Sequence, residues 1–381
     1  MRMVALDIVS LQIVAAVGSL LAGAIHFIPG LTSQDRGGWA RWWGAGKLLI
    51  GITNALTLMF DGSNVAFLER LLNFALVIGL ILCVHSVAVF GGRRLARGIV
   101  IAIALMVAMI IALMLFDTED VRWSIAALGM TRMLCHFAVA WLAFGIARRE
   151  KLLTAWIMTA LFAATVPLFL LRTTFLLASL TLPSWEMAMQ MSADWMVGIA
   201  IILVSLSHFS LLLLDAERTQ GILREQACRD GLTGALNRNG LSKVEHELRG
   251  EAVLLLIDID HFKALNDGQG HAAGDTILRL VVDLAQHTIG QRGLVVRIGG
   301  DEFLCVLPGI GRAEAEAILT QLSERFDRAV GAMVDSTPCP TLSIGLASGS
   351  VADGLDALIH RADEAMYAVK RQHHAATARA A

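Results

Sequence analysis

Up to about residue 214 the chain is a succession of long apolar stretches separated by short polar breaks; beyond it the apolar runs shorten and alternate with charged segments. Seven stretches reach spanning length, roughly 8–29, 40–60, 66–90, 95–116, 123–147, 152–173 and 193–214. A helix of about 20 apolar residues crosses the hydrocarbon core of a bilayer, so this half predicts an all-α polytopic membrane bundle of about seven spans. The first stretch is too long for a secretory signal, has Asp7 beside it and lacks a small-residue cleavage site.

After Leu214 the pattern changes character. Val253–Ile257 is a continuous apolar run, as expected of a strand buried on both faces. Leu294–Val296 and Phe303–Leu307 flank a Gly-Gly turn and predict a hairpin. Helical patterns at 276–286, Arg312–Arg328 and Leu355–Lys370, with a strand at Leu342–Ala347, complete an α+β arrangement. Between the halves, Leu214–Arg229 reads as a charged helix continuing the last span, with apolar Leu214, Ile222, Leu223 and Ala227. It is either a plain spacer or a short dimeric stalk. The expected division is therefore 1–214 membrane domain, 215–229 helical linker, 230–372 α+β domain and 373–381 a flexible Ala-rich tail.

Composition and charge sharpen this picture. The chain is 56% hydrophobic, with the excess confined to the first half. The loops after the first, third and fifth stretches carry Arg36 and Arg41, then Arg93, Arg94 and Arg97, then Arg148, Arg149 and Lys151. The intervening loops lack such clusters. The positive-inside rule then places the N-terminus outside and residues 215–381 in the cytoplasm, as in a multi-pass inner-membrane protein in contact with lipid. A net charge of −2 argues against a nucleic-acid partner. The five cysteines have no metal-ligand spacing and suit a reducing compartment.

Several ionisable groups fall inside the apolar stretches, among them His26, Lys47, Glu69, Arg70, His85, Arg132, His136, Asp194 and His208. Such groups either glue helices together or mark a ligand site. Arg132 and His136 lie one helical turn apart, and with Asp194 they form the candidate sensory pocket, suited to a small anion or a proton. The ligand itself is unknown.

The chemistry-bearing residues lie in the second half. Asp301 and Glu302 follow Gly299-Gly300 at the predicted hairpin tip, where hard oxygen ligands could hold Mg²⁺ against a phosphate. Taken alone this is only a turn. Asp258-Ile259-Asp260-His261-Phe262-Lys263 ends the strand upstream, and alternation puts Asp258 and Asp260 on one face. The polar, Gly-rich Asn266–Asp275 stretch leads into the 276–286 helix, with Asp275 as the expected N-cap. Backbone N–H groups at His261–Lys263 could cradle phosphates.

Residues 226–371 resemble the GGDEF family of diguanylate cyclases, which condense two GTP into cyclic di-GMP. The resemblance rests on six blocks in order: Asp230–Arg238, Asp258–Lys263, Asn266–Asp275, the 297–303 hairpin, Thr341–Gly345 and Asp363–Lys370. It implies a nucleotide-cyclase-like fold and a homodimer in which each domain holds one GTP. It implies that Asp258, the carbonyl of Ile259, Asp301 and Glu302 hold two Mg²⁺, for which Mn²⁺ could substitute. Asp301, Glu302 and Lys263 would carry the chemistry, with Asp301 the candidate base. Phe262, Asn266, His271, Asp275 and Lys370 would contact the substrate, Asn266 and Asp275 reading the guanine edge. Arg238 and Arg297 are expected to be structural.

Two departures stand out. Many relatives carry an Arg-x-x-Asp product-inhibition site before the signature; Gly290 and Gly293 occupy those positions here. Relatives also continue after the last lysine with Gly-Arg-Asn, whereas this chain reads Arg371-Gln372-His373-His374, so Arg371 would have to replace a phosphate-contacting arginine. The rival to a membrane-regulated cyclase is a silent GTP-binding or docking module beneath a receptor. The intact set Asp258, Lys263, Asn266, Asp275, Asp301 and Glu302 favours the enzyme.

Overall fold

The structure, a computed structural model, describes residues 8–32, 38–60, 66–93, 122–179, 186–333 and 339–380. The chain forms two compact units, Met1–Thr219 and Gln220–Ala381.

The first unit is all-helical: α1 Ile8–Thr32, α2 Trp39–Met59, α3 Ala66–Phe90, α4 Arg122–Glu150, α5 Leu153–Ser179, α6 Glu186–Ser207 and α7 Ser210–Ala227, which runs on into the second unit. From α1 to α6 each helix packs on the next, and α6 returns to α1, closing a ring among the described residues. Small residues permit the close approach. A Cβ on Gly44 would lie 2.5 Å from the Phe27 backbone nitrogen, and one on Gly46 would lie 2.7 Å from the Gly79 carbonyl. The outward side is apolar: Ile13, Val17, Leu21 and Ile28 of α1 are 49–64% exposed, as a lipid-facing stripe requires.

Five helical stretches among the described residues are long and apolar enough to cross a membrane: Ile8–Ile28, Leu68–Phe90, Ile125–Glu150, Leu153–Ala178 and Trp195–Ala227. The expected stretch 40–60 is indeed a helix, α2. Its three glycines with Arg41, Lys47 and Asn54 keep it below that apolarity, and it is buried among its neighbours rather than wholly lipid-facing. The expected stretch 95–116 lies outside the described residues, as do Arg36, Arg94, Arg97 and the side chain of Asp194.

The last span does not continue smoothly into the linker. The helix breaks at His208–Phe209, between α6 and α7. The cause is a buried polar knot. His208 Nε2 donates to the Ala15 carbonyl at 3.1 Å, and its Nδ1 accepts from Lys47 Nζ at 3.2 Å. Ser207 and Ser210 hydroxyls compete for the carbonyls of Val204 and Ser207. Below the break, Arg218 grips Glu150 through two hydrogen bonds of 2.8 and 2.6 Å and lies over the Phe90 ring. Glu217 accepts from the Leu153 and Thr154 N–H groups, capping α5.

The second unit contains α8 Arg238–Glu245, β1 Glu251–Ile259, α9 Phe262–Gln269, α10 His271–Ile289, β2 Leu294–Arg297, β3 Glu302–Pro308, α11 Arg312–Met333, β4 Leu342–Ser350 and α12 Leu355–Ala380. The sheet order is β2-β3-β1-β4, antiparallel throughout. Central β1 is buried on both faces, which is why it reads as an unbroken apolar run. Val253, Leu255 and Ile257 join α10 and α11 in one core, whereas Leu254 and Leu256 join Leu358, Ala362 and Met366 of α12 in the other. Gly345 lets α12 lie directly on β4, because a Cβ there would lie 2.0 Å from the Ala362 carbonyl.

Three expectations are corrected. Asn266–Asp275 is not a loop: it spans most of α9 and the start of α10, with the break at Gly270 (φ 83°). Asp275 therefore sits inside α10 rather than at its N-cap. Burial of Leu265 and Gly274 in the helical packing overrides the loop-like composition. The last helix runs to Ala380 instead of ending near His373, because the Ala-rich tail is a good helix former with no breaker.

Candidate active site

The site is assembled by strand alternation. Asp258, near the end of β1, pairs in register with Glu302 at the start of β3, so both side chains leave the sheet on the α12 side. Asp301 occupies the hairpin tip one residue earlier. From α12, Lys370 Nζ donates to Asp258 Oδ1 at 2.7 Å.

The two signature glycines have different reasons. A Cβ on Gly299 would lie 2.5 Å from the Glu302 carboxylate, so the first glycine makes room for that side chain. A Cβ on Gly300 would meet nothing within 4 Å, and its φ is not positive. The fold does not demand glycine there.

Electrostatics mark the cluster as a place for a cation. Burial raises the Asp258 carboxyl; the Lys370 hydrogen bond and charge pull it down, and Asp301 and Asp260 push it up, with a net upward shift. Burial also raises Glu302, reinforced by Asp258, Asp301 and Asp363 and opposed by Arg238. Burial alone would lower Lys370, but its bond to Asp258 and the charges of Asp258, Asp260 and Asp301 raise it. Neighbouring carboxylates thus disfavour the ionisation of Asp258 and Glu302 around one ammonium. A hard divalent cation relieves that repulsion. No three His, Cys, Asp or Glu side chains are already gathered as a metal site among the described residues.

Asp260 does not join this cluster, although it shares strand parity with Asp258. It lies just beyond the end of β1, fully buried, and accepts from Ser343 Oγ at 2.8 Å, Thr341 Oγ1 at 2.9 Å and His373 Nδ1 at 2.9 Å. It is a structural node joining β1, β4 and α12.

His261 adopts the left-handed conformation (φ 61°, ψ 18°) and starts α9, so the N–H groups of Phe262 and Lys263 belong to the free first turn of that helix. Asn266 faces Gly274, where a Cβ would lie 2.0 Å from Asn266 Oδ1, and this buried oxygen has no hydrogen-bond partner. Lys263 and His271 are exposed and Asp275 half-buried. Among the described residues no hydrogen bond or ion pair joins these three to the hairpin carboxylates. Arg371 lies over the Tyr367 ring, 5.3 Å from its centroid.

Arg297 and Arg238, expected to be structural, anchor the hairpin; what sequence reasoning missed is the partner, Asp230. Arg297 donates to Asp230 Oδ1 at 2.9 Å and to the Gly300 carbonyl at 2.6 Å, while Arg238 Nε donates to the Ile298 carbonyl at 2.7 Å. Asp230 also accepts from the Thr233 N–H and hydroxyl. The Asp-x-x-Thr spacing at 230–233 was the available signal. Asp363 was also missed; it lies two turns before Lys370 on α12.

The family profile of the diguanylate cyclase GGDEF domain matches residues 227–376. The diguanylate cyclase DgcP of Pseudomonas aeruginosa is 35% identical over 159 residues, covering 39% of this chain and 23% of DgcP. An uncharacterised 19.3 kDa protein of the repSA 5′ region in Streptomyces ambofaciens is 37% identical over 151 residues, covering 38% of this chain and 79% of that protein. The solved GGDEF domain of DgcB from Caulobacter crescentus, in complex with c-di-GMP, is 27% identical with a TM-score of 0.33, covering 38% of this chain and 91% of that one. The chain spans less than half the length of the curated relatives it matches first, from 20% to 41% of each. Through residues 227–376 it belongs to the GGDEF family of diguanylate cyclase domains, carried behind a region of several long apolar helices.

Proposed function

We propose that the protein is an inner-membrane diguanylate cyclase: residues 1–214 sense, the 215–229 linker transmits, and the domain at 230–372 condenses two GTP into cyclic di-GMP with release of pyrophosphate. The observation that carries this reading is the Asp258–Glu302 register pair beside Asp301 and Lys370. The unfilled space at Gly300 adds to it, since a phosphate-bearing ligand gives that position a reason to be glycine.

Asp258, the Ile259 carbonyl, Asp301 and Glu302 would hold two Mg²⁺, or Mn²⁺. When bound, these ions supply charge neutralisation on phosphate oxygens and a more acidic ribose 3′-hydroxyl. Asp301 would take the hydroxyl proton. Lys263 and Lys370 meet the triphosphate, Lys263 stabilising the charge that grows on the α-phosphate. The partnerless Asn266 oxygen suits a guanine N–H donor, with Asp275 as the second acceptor and Phe262 and His271 as flanking contacts. One domain holds one GTP, so turnover needs a homodimer. Ile222 and Leu223 of α7, 53% and 57% exposed, give the stalk an apolar face.

In the membrane half we infer seven spans, counting α2 and the 95–116 stretch, with the N-terminus outside and the cyclase domain cytoplasmic. Chromatography of the full-length protein in nanodiscs, incubated with GTP and Mg²⁺, tests the assignment. Cyclic di-GMP supports it. GTP binding without product, persisting when two chains are held together by a fused dimeriser, supports the silent-module rival.

A further inference from the structure

All six helices of the membrane ring, α1 to α6, contribute to one cavity of about 270 Å³. Its polar lining includes Gln12, Asn54, Asn73, Arg132, His136 and Arg172, beside the hydroxyls of Thr53 and Thr57 that are bonded within α2. Gln12, Asn54, Asn73, Arg132 and Arg172 each lie about one to three turns from a helix end, and His136 lies at the middle of α4.

The lining is cationic. The Arg132 and Arg172 charges act on each other across the cavity, and no Asp or Glu among the described residues lines it. Arg132 forms no hydrogen bond with another described residue. A guanidinium without a hydrogen-bond partner in a low-dielectric space favours an anion beside it. Guanidinium geometry matches carboxylate and phosphate oxygens in a bidentate way, and the three amides add donors. The His136 ring is held by its Nδ1 bond to Thr165 at 2.7 Å and by edge-on packing against Phe162 and Phe169 at 5.2 Å. Such a site has a fixed shape. The volume falls just under the ~300 Å³ low end of drug-sized ligand sites, which suits a smaller molecule.

We propose that this cavity is a ligand site for a small oxyanion, a carboxylate or phosphate group clasped by Arg132 and Arg172. The group is supplied either by a free organic acid or phosphate, or by a lipid headgroup. The proposal rests on the first unit alone and stands or falls independently of GTP turnover.

The test is thermal unfolding of the full-length protein in nanodiscs, without GTP. In phosphatidylcholine discs, phosphate, succinate and citrate are added separately, against chloride at equal ionic strength. A rise of about 3–5 °C at ten times the dissociation constant is expected for at least one of them, and its loss in Arg132→Gln and Arg172→Gln. If none acts but phosphatidylglycerol discs stabilise the wild type over both variants, the headgroup is the source. Equal shifts in wild type and variants, or no shift in either disc, overturn the proposal. Should a variant fail to fold, displaceable binding of radiolabelled succinate and phosphate to the wild type, together with the wild-type comparison of the two discs, decides the same question. No displaceable binding and no preference for the anionic disc would overturn it.

Discussion

Lys370 Nζ lies 2.7 Å from Asp258 Oδ1, an ion pair that joins the last helix of the GGDEF domain to the end of its central strand. The Asp258 side chain is only 8% exposed, so removing its partner strands a carboxylate in a poorly solvated place. Lys370→Met should destabilise the metal-free domain by about 1–3 kcal/mol in denaturant titrations. It should also cut GTP turnover by more than about tenfold, since the same ammonium is assigned to the triphosphate. Undiminished turnover would remove Lys370 from the site.

Glu302 shows the opposite sign. Its carboxyl is raised by burial and by Asp258, Asp301 and Asp363, so its ionised form opposes folding in the absence of a cation. A raised acid favours the fold below its unfolded pKa, and that advantage is lost as pH rises through the folded value. At neutral pH, Glu302→Gln should therefore stabilise the metal-free domain by about 0.5–2 kcal/mol while turnover falls at least ~100-fold. Thermal melts in EDTA and in Mg²⁺ read both halves: added Mg²⁺ should raise the wild-type midpoint more than that of the variant.

Asp230 supplies the acid limb. Burial alone would raise it, but hydrogen bonds from Thr233 and Arg297 and the Arg297 charge hold it below the ordinary 3.8. Its contribution is present above the unfolded pKa and disappears as pH falls through the lowered folded value. Asp230→Asn should thus cost about 1–3 kcal/mol at pH 7 and progressively less as pH falls through the lowered folded value. Because Arg297 also holds the Gly300 carbonyl, the variant should lose turnover although Asp230 touches no substrate group. Restoration of turnover by Asp230→Glu would support positioning.

Product inhibition through an Arg-x-x-Asp site is not expected, and the fold adds a reason beyond the missing side chains. Gly290 has φ 62°, and a Cβ on Gly293 would lie 2.5 Å from the Val306 carbonyl. Added cyclic di-GMP should leave the initial rate unchanged apart from competition with GTP. Grafting the motif by Gly290→Arg with Gly293→Asp should lower stability by about 1–3 kcal/mol rather than install inhibition.

The parts of the fold that could be read from sequence alone are those governed by local period. The continuous run in β1, the Gly299-Gly300 hairpin and the long apolar helices each follow from burial on one face or both. What escaped depends on partners far along the chain. Helical Asn266–Asp275 looks like a loop until Gly274 is seen packed against Asn266. The break at His208 is set by Lys47 and Ala15, which no window around residue 208 contains. That Asp258 and Asp301 come together was legible. The diversion of Asp260 to Ser343, Thr341 and His373 was not, because alternation along β1 stops at Ile259.

The most direct measurement compares wild type and Asp301→Ala, both full-length in nanodiscs, incubated with GTP and Mg²⁺ and resolved for cyclic di-GMP. The hairpin chemistry predicts product from the wild type and a loss of at least ~100-fold in the variant, with an unchanged melting profile for the membrane unit. Equal product from both would contradict the assignment of the reaction to the Asp301 hairpin.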